Sequence, residues 1–263
     1  MMKSLEREVD WLLREKYSCS RASDLKEDGL EKLKLDIERL KKGEPLDYVI
    51  GFTDFLGCKI DLSERPLIPR PETEFWTEAA VKDIKNSKVR KISCLDVFAG
   101  SGCIGVAVLK SCPEFLQKVD FAEKQDQFLK QIRINLKLNQ PSPRALAWRS
   151  KIIKSDIFSK IRGKYDYIFA NPPYIVTTRK DRIQKSVLNF EPKLALLGGK
   201  DGLFYIRKFL KDAKKHLKKG GRIYMEFDFV QKKEVEKILK TFGYNSFQFF
   251  RDQYGKWRYI VVS

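Results

Sequence analysis

Apolar residues return every three or four positions in two stretches at the start of the chain. Leu5, Val9, Leu12 and Leu13 do so within residues 4–17, and Leu30, Leu33, Ile37 and Leu40 within residues 25–42. That spacing places them on one face of a helix, so two amphipathic helices are predicted. Ser4 can cap the first, and Glu6 and Glu8 suit its positive end. Gly43 and Pro45 stop the second. Residues 1–42 thus read as a helical appendage too short to fold alone.

Residues 43–70 change character. Tyr48–Phe52 and Cys58–Leu62 read as two strands around Asp54–Gly57, a hairpin linking the appendage to the main domain. Pro69-Arg70-Pro71-Glu72-Thr73-Glu74 then enters a helix over Phe75–Ile84. Its prolines fix the path of the chain, and Arg70 and Glu72 are polar at the junction.

Beyond residue 90 the pattern alternates between strand and helix, which predicts a parallel α/β sheet. Strands are expected at 92–98, 119–122, 152–155, 165–170 and 222–227. Helices are expected at about 103–112, 126–138, 204–217 and 232–241, the third ending at Gly220-Gly221. Two last strands, 247–251 and 257–262, flank a short turn containing Tyr254-Gly255-Lys256 and should pair antiparallel. The fold class is therefore α/β, with residues 71–263 as the main domain.

The chain has 263 residues, room for one large domain with a small appendage. Its 53 basic and 35 acidic residues give a net charge of +18, which favours polyanionic surroundings such as RNA or the ribosome. No stretch approaches the ~20 apolar residues of a transmembrane helix. The N-terminal run MMKSLEREVDWLLREKY lacks the apolar core of a signal peptide. A cytoplasmic protein without a membrane partner is expected. Cys19, Cys58, Cys94, Cys103 and Cys112 form no C-x-x-C pair, and His216 is the one histidine. That argues for reduced thiols and against a metal site.

Gly100-Ser101-Gly102-Cys103-Ile104-Gly105 follows the first strand and fits G-x-G-x-x-G, with Glu123 at the end of the next strand, about twenty residues on. The glycines let backbone approach an adenosine-bearing ligand, and Glu123 suits its ribose hydroxyls. Asp96, inside the strand end, would repel a pyrophosphate but suits an ammonium group. S-adenosylmethionine has the adenosine, the ammonium and a methyl on a sulfonium, so it is preferred to NAD.

The strand 165–170 runs into Asn171-Pro172-Pro173-Tyr174. Neither proline has an N–H for a ladder, and the residue before a proline stays extended. The result is a stiff lip suited to holding a planar –NH2 group. The Asn171 side-chain oxygen and the Pro172 carbonyl can each accept one N–H, and Tyr174 can stack on the group carrying the nitrogen. An amide nitrogen is a poor nucleophile because its lone pair is delocalised. Acceptors that favour a pyramidal nitrogen act most strongly as charge develops in the transition state.

The runs LDVFAGSG, SDIF at 155–158 and NPPY at 171–174, with Glu123, resemble the class I methyltransferases. GEPLDYVIGFTDFLG, LIPRPETE and FEP at 190–192 narrow the resemblance to bacterial release factor glutamine methyltransferases of the HemK/PrmC type, from about Gly43 to the end. The resemblance implies a seven-stranded Rossmann-like sheet with an antiparallel last pair. It implies methylation, by S-adenosylmethionine, of the side-chain nitrogen of the glutamine in the Gly-Gly-Gln loop of peptide chain release factors. On it, Phe98, Ala99, Gly100, Ser101 and Gly102 surround the cofactor with Asp96, Glu123 takes the ribose, and Asp156 and Ile157 flank the adenine. Asn171 with Pro172 holds the glutamine amide, Pro173 and Tyr174 complete the pocket, and Arg70, Glu72 and Thr73 belong to the substrate side. The helical appendage helps dock the protein substrate, and a monomer is expected. Phe98 stands where the family usually has glycine and Ile157 where an aromatic is common. The helical region is shorter than is usual.

Three other readings share these residues. One is an adenine-N6 methyltransferase on RNA or DNA, which shares NPPY and would gain from the charge. No segment large enough to read base sequence accompanies it. Another is a glutamine methyltransferase for a ribosomal protein; the third is an inactive adapter. The run Lys208, Lys211, Lys214, Lys215, Lys218 and Lys219 reads either as a solvated helix face or as a surface that attracts an acidic partner.

Overall fold

The computed structural model describes residues 2–140, 150–178 and 184–263, with side chains from residue 5 onward. Helix α1 (Met2–Glu15), α2 (Glu27–Lys41) and α3 (Leu46–Ile50) bury one apolar cluster around Leu12, Leu13, Leu33, Leu40 and Val49. The apolar stripes predicted for the first two helices supply most of it. Because α1 already runs from Met2, Ser4 is not its cap, and that side chain lies outside the described residues.

The hairpin is real but shorter than predicted. Tyr48–Ile50 is helical, not extended, and belongs to α3; left-handed Gly51 ends that helix. Strands β1 (Phe52–Phe55) and β2 (Cys58–Asp61) follow, closed by Leu56 and Gly57, both with positive φ. Tyr48 and Val49 favour strand by local preference, but their burial, against Pro66 and the helical cluster, is tertiary and holds them in a helix.

The main sheet comprises seven strands. In chain order they are β3 (Ile92–Val97), β4 (Leu116–Glu123), β5 (Ile152–Lys154), β6 (Tyr165–Ala170), β7 (Leu217–Glu226), β8 (Phe247–Arg251) and β9 (Trp257–Val262). Their spatial order is β5-β4-β3-β6-β7-β9-β8. The first five are parallel, and β9 runs antiparallel between β7 and β8, as the short last turn predicts. Helices α4 (Pro71–Asn86), α5 (Cys103–Ser111), α6 (Asp126–Asn139), α7 (Lys185–Phe190), α8 (Lys193–Leu196), α9 (Phe204–Ala213) and α10 (Lys232–Thr241) complete the chain. Two apolar clusters cover the two faces of the sheet, the arrangement parallel strands need.

Two boundaries differ from the sequence reading in ways that matter. Helix α4 begins at Pro71, not Phe75, so Thr73 sits in its first turn. Gly220-Gly221 does not end a helix: α9 stops at Ala213, and both glycines lie inside β7. A Cβ on Gly221 would stand 2.9 Å from the Asp166 carbonyl of β6, so the glycine lets two strands approach. Among the described residues no helix is long and apolar enough to cross a membrane.

Candidate active site

The sheet register assembles the site. Val97 of β3 pairs with Ala122 of β4 and with Ala170 of β6, and Ala170 pairs with Met225 of β7. The next residue on each strand is Phe98, Glu123, Asn171 and Glu226. Four side chains of different chemistry thus stand on one rung at the carboxyl edge, where open α/β sheets bind ligands.

At the first two strands, the Glu123 carboxylate accepts N–H bonds from Gly100 (2.9 Å), Lys124 (2.7 Å) and Gln125 (2.8 Å). Strand β4 is thereby tied to the glycine turn, with Glu123 held for a further donor. Behind the turn, Asp96 is fully buried and accepts from the Gly105 N–H at 3.0 Å. Its other oxygen is buried without a partner. Burial pushes this carboxyl well above the ordinary range, against the Gly105 N–H.

A cavity of ≈ 210 Å³ opens beside Glu123. Phe98, Gly100, Glu123, Asp156, Ile157 and Asn171 line it, as the sequence reading expects, together with Phe128 and Tyr205, which that reading missed. Asp96, Ala99, Ser101 and Gly102 do not line it. They shape the turn instead: Ala99 N–H donates to Ala122, the Ser101 carbonyl accepts from Asn135, and Gly102 starts α5. Asp156 lies at the rim, where Lys208 at 2.9 Å holds its carboxyl below the ordinary range. A slot with apolar walls and a fixed carboxylate at its mouth fits a nucleoside: the walls take a planar base and the carboxylate takes vicinal hydroxyls.

At the third strand, the Asn171 Nδ2 donates to Thr73 Oγ1 at 3.2 Å. Neither the Asn171 Oδ1 nor the Pro172 carbonyl accepts a hydrogen bond from the described residues. Tyr174 donates its hydroxyl to Glu226 at 2.9 Å, and burial pushes that phenol well above its usual range. Glu226 also accepts from Thr73 (2.7 Å) and from Trp76 Nε1 (2.7 Å). Burial raises its carboxyl, against those three donors and Arg258.

A second cavity of ≈ 610 Å³ lies on the other side of the lip, lined by Arg70, Asn171, Pro172, Tyr174, Val187, Leu196, Phe229, Val230 and Arg258 among others. Arg70 faces it while paired with buried Glu191, which also accepts from the Ile68 N–H at 3.1 Å. This pair joins the LIPRPETE and FEP segments. Pro173 lines the smaller cavity. Thr73 lines neither cavity and is buried against Glu226; Glu72 lines neither and has no hydrogen-bond partner among the described residues. Glu226 was not anticipated. The available signal was a lone acid ending an apolar run, Ile223-Tyr224-Met225, at the position that Glu123 and Asn171 hold on their own strands.

The family model of the methyltransferase small domain matches residues 75–192. The release factor glutamine methyltransferase of Thermodesulfovibrio yellowstonii is 34% identical over 227 residues, covering 86% of this chain and 78% of the relative. That of Streptococcus pneumoniae is 35% identical over 226 residues, covering 86% and 77%. The chain belongs to the release factor glutamine methyltransferase family. Its fold is shared more widely. A ribosomal protein L11 methylase from Lactobacillus delbrueckii superposes with a TM-score of 0.52 at 19% identity, over 78% of this chain and 83% of that one. A 16S rRNA methyltransferase of T. thermophilus, in complex with AdoMet and guanosine, gives 0.56 at 17%, over 81% and 49%. The family-model match takes in the glycine turn, Glu123 and Asn171–Tyr174 but ends before Glu226 and Arg258. In this release factor glutamine methyltransferase family member those two residues complete the lip from the far end of the chain.

Proposed function

We propose that the chain transfers a methyl group from S-adenosylmethionine to the side-chain amide nitrogen of the glutamine in the Gly-Gly-Gln loop of peptide chain release factors. One observation carries this reading. Three residues, Leu67, Asn171 and Ala195, line both cavities, and Asn171 alone among them has a hydrogen-bonding side chain. An acceptor pair therefore stands between a nucleoside-shaped slot and a cavity large enough for a peptide side chain and its neighbours.

S-adenosylmethionine, when bound, supplies a methyl group made electrophilic by its sulfonium. For the cofactor, Glu123 would take the ribose hydroxyls, with Phe98, Phe128, Ile157 and Tyr205 as walls. Gly100 brings backbone close, and Asp96, Ala99, Ser101 and Gly102 hold the turn in shape. The unpartnered buried oxygen of Asp96 supports a positively charged or donor-bearing ligand nearby. On the substrate side, Asn171 Oδ1 and the Pro172 carbonyl would accept the two amide N–H groups, which turns the nitrogen lone pair toward the slot. Both acceptors gain strength as the nitrogen becomes cationic. The extra proton then leaves to water, so no strong general base is required. Pro173 stiffens the lip. Tyr174 and Arg70 line the substrate cavity, whereas Thr73 acts from behind Asn171, and Glu72 has only its place at the start of α4.

A cytoplasmic monomer working close to the ribosome belongs to the same reading; the +18 charge suits those surroundings. Purified protein with radiolabelled S-adenosylmethionine should be offered release factor, ribosomal protein, RNA and DNA in parallel. Label on the release-factor glutamine is expected. Label on nucleic acid, or on a ribosomal protein alone, would overturn the substrate assignment.

A further inference from the structure

An asparagine amide works as an acceptor only if its oxygen, not its nitrogen, faces the substrate. The two ends are nearly the same size, so shape alone does not choose between them. Here the choice is made by proton counting. Thr73 Oγ1 lies 2.7 Å from Glu226 Oε2 and 3.2 Å from Asn171 Nδ2. A hydroxyl has one hydrogen, and Glu226 Oε2 faces Thr73 as the same acceptor oxygen that takes the Trp76 Nε1–H, a group that can only donate. The Thr73 hydrogen therefore goes to Glu226, and toward Asn171 the same hydroxyl has only a lone pair to offer. Asn171 must present its –NH2 there, which turns Oδ1 the other way, into the cavities.

Glu226 is placed to enforce this. Its carboxylate is 1% exposed. Oε2 takes the Thr73 hydroxyl and, one helical turn later on α4, Trp76 Nε1 at 2.7 Å; Oε1 takes the Tyr174 hydroxyl at 2.9 Å. One buried acid thus grips both ends of Asn171–Tyr174, the tyrosine directly and the asparagine through Thr73. Were Thr73 to give its hydrogen to Asn171 instead, the amide would turn over and set –NH2 against the substrate –NH2, donor against donor.

We infer that Thr73 and Glu226 are positioning residues that fix the polarity of the Asn171 amide. The activity arm of the test rests on the proposed glutamine methylation; a spectroscopic arm does not. In single-turnover methylation of release factor, Thr73→Val, which keeps shape and removes the hydroxyl, should lower the rate about tenfold or more, the order lost when an orienting partner is removed. The release-factor KM and the S-adenosylmethionine Kd should move less than about threefold, the pattern of an interaction felt in the transition state. Thr73→Ser should restore the rate, and Glu226→Gln should resemble Thr73→Val. Independently, asparagine-selective nitrogen labelling, assigned through Asn171→Ala, should show the Asn171 side-chain –NH2 protected from exchange in wild type and unprotected in Thr73→Val. The inference is overturned if Thr73→Val keeps the wild-type rate, if Thr73→Ser falls as far as Thr73→Val, or if the exchange of the Asn171 amide is the same in wild type and Thr73→Val. If wild-type protein leaves release factor unmethylated, the substrate reading fails, and the exchange measurement still decides the polarity.

Discussion

Phe98 and Ile157 flank the smaller cavity with left-handed backbone, at φ 60° and 56°, without being glycine. For an L-residue that conformation costs roughly 1–2 kcal/mol, and in a β-branched isoleucine it is a true outlier. The Phe98 ring is held by Tyr205 and Phe209, with centroids 6.0 and 6.2 Å away. Elsewhere glycine is less stable than alanine; at positive φ the order reverses. Phe98→Gly should therefore be more stable than Phe98→Ala by about 1 kcal/mol in urea melts. Removing the Glu123 carboxylate by Glu123→Ala should cost about 1.5–3 kcal/mol of S-adenosylmethionine affinity by calorimetry, the range for hydrogen bonds to a charged group. NAD should not bind. Glu123 and Asn171 were legible because each sits at a fixed spacing in a local motif. Thr73 was legible only as part of LIPRPETE, on the substrate side; its partnership with Glu226, which has no motif of its own, was not, because it spans 153 positions.

At the scale of elements, alternating strands and helices after residue 90 predicted the parallel sheet, and the short turn at Tyr254–Lys256 predicted its antiparallel end. The errors share one cause. Tyr48–Ile50 and Gly220-Gly221 have local preferences that tertiary contacts override: the first is packed as a helix, and the second lies where β6 and β7 come close. Gly105 shows the reverse, a residue whose sequence motif foretells a close approach. A Cβ there would stand 2.3 Å from the Phe121 ring of β4, and its N–H is the one that Asp96 accepts. Gly105→Ala should push α5 off the sheet and destabilise the fold by about 1–3 kcal/mol, the usual cost of overpacking. Thermal denaturation would record it, with weaker cofactor binding because the glycine turn moves with the helix.

Over the whole molecule, several ion pairs tie segments of the chain together. Lys208, Lys215 and Lys218 of the basic run pair with Asp156, Asp212 and Asp166, and Lys214 donates to the Gly243 carbonyl. At the other end, Glu44 takes Arg39 at 2.8–2.9 Å and Arg65 at 2.8 Å, joining α2 to the segment after the hairpin. Arg39 holds the Glu44 carboxyl below its ordinary value of 4.5, against burial and with help from Arg65. Because the folded value lies below the unfolded one, this linkage stabilises the protein above the unfolded value and is lost as pH falls through the folded one. Hydrogen exchange should show residues 2–50 losing protection before the sheet does as pH falls below the ordinary value of 4.5, and Glu44→Gln should remove most of that step.

The central role falls to Asn171, as the acceptor that holds a glutamine amide at the mouth of the cofactor slot. Single-turnover methylation of release factor, with the methylated glutamine located by mass spectrometry, tests it most directly in wild type and Asn171→Ala. Asn171→Ala should be slower by about a hundredfold or more, the order lost with one preorganised transition-state hydrogen bond, while S-adenosylmethionine affinity changes little. An Asn171→Ala protein that methylates the same glutamine at close to the wild-type rate would contradict it, and Asn171-Pro172-Pro173-Tyr174 would then be no more than the end of a strand.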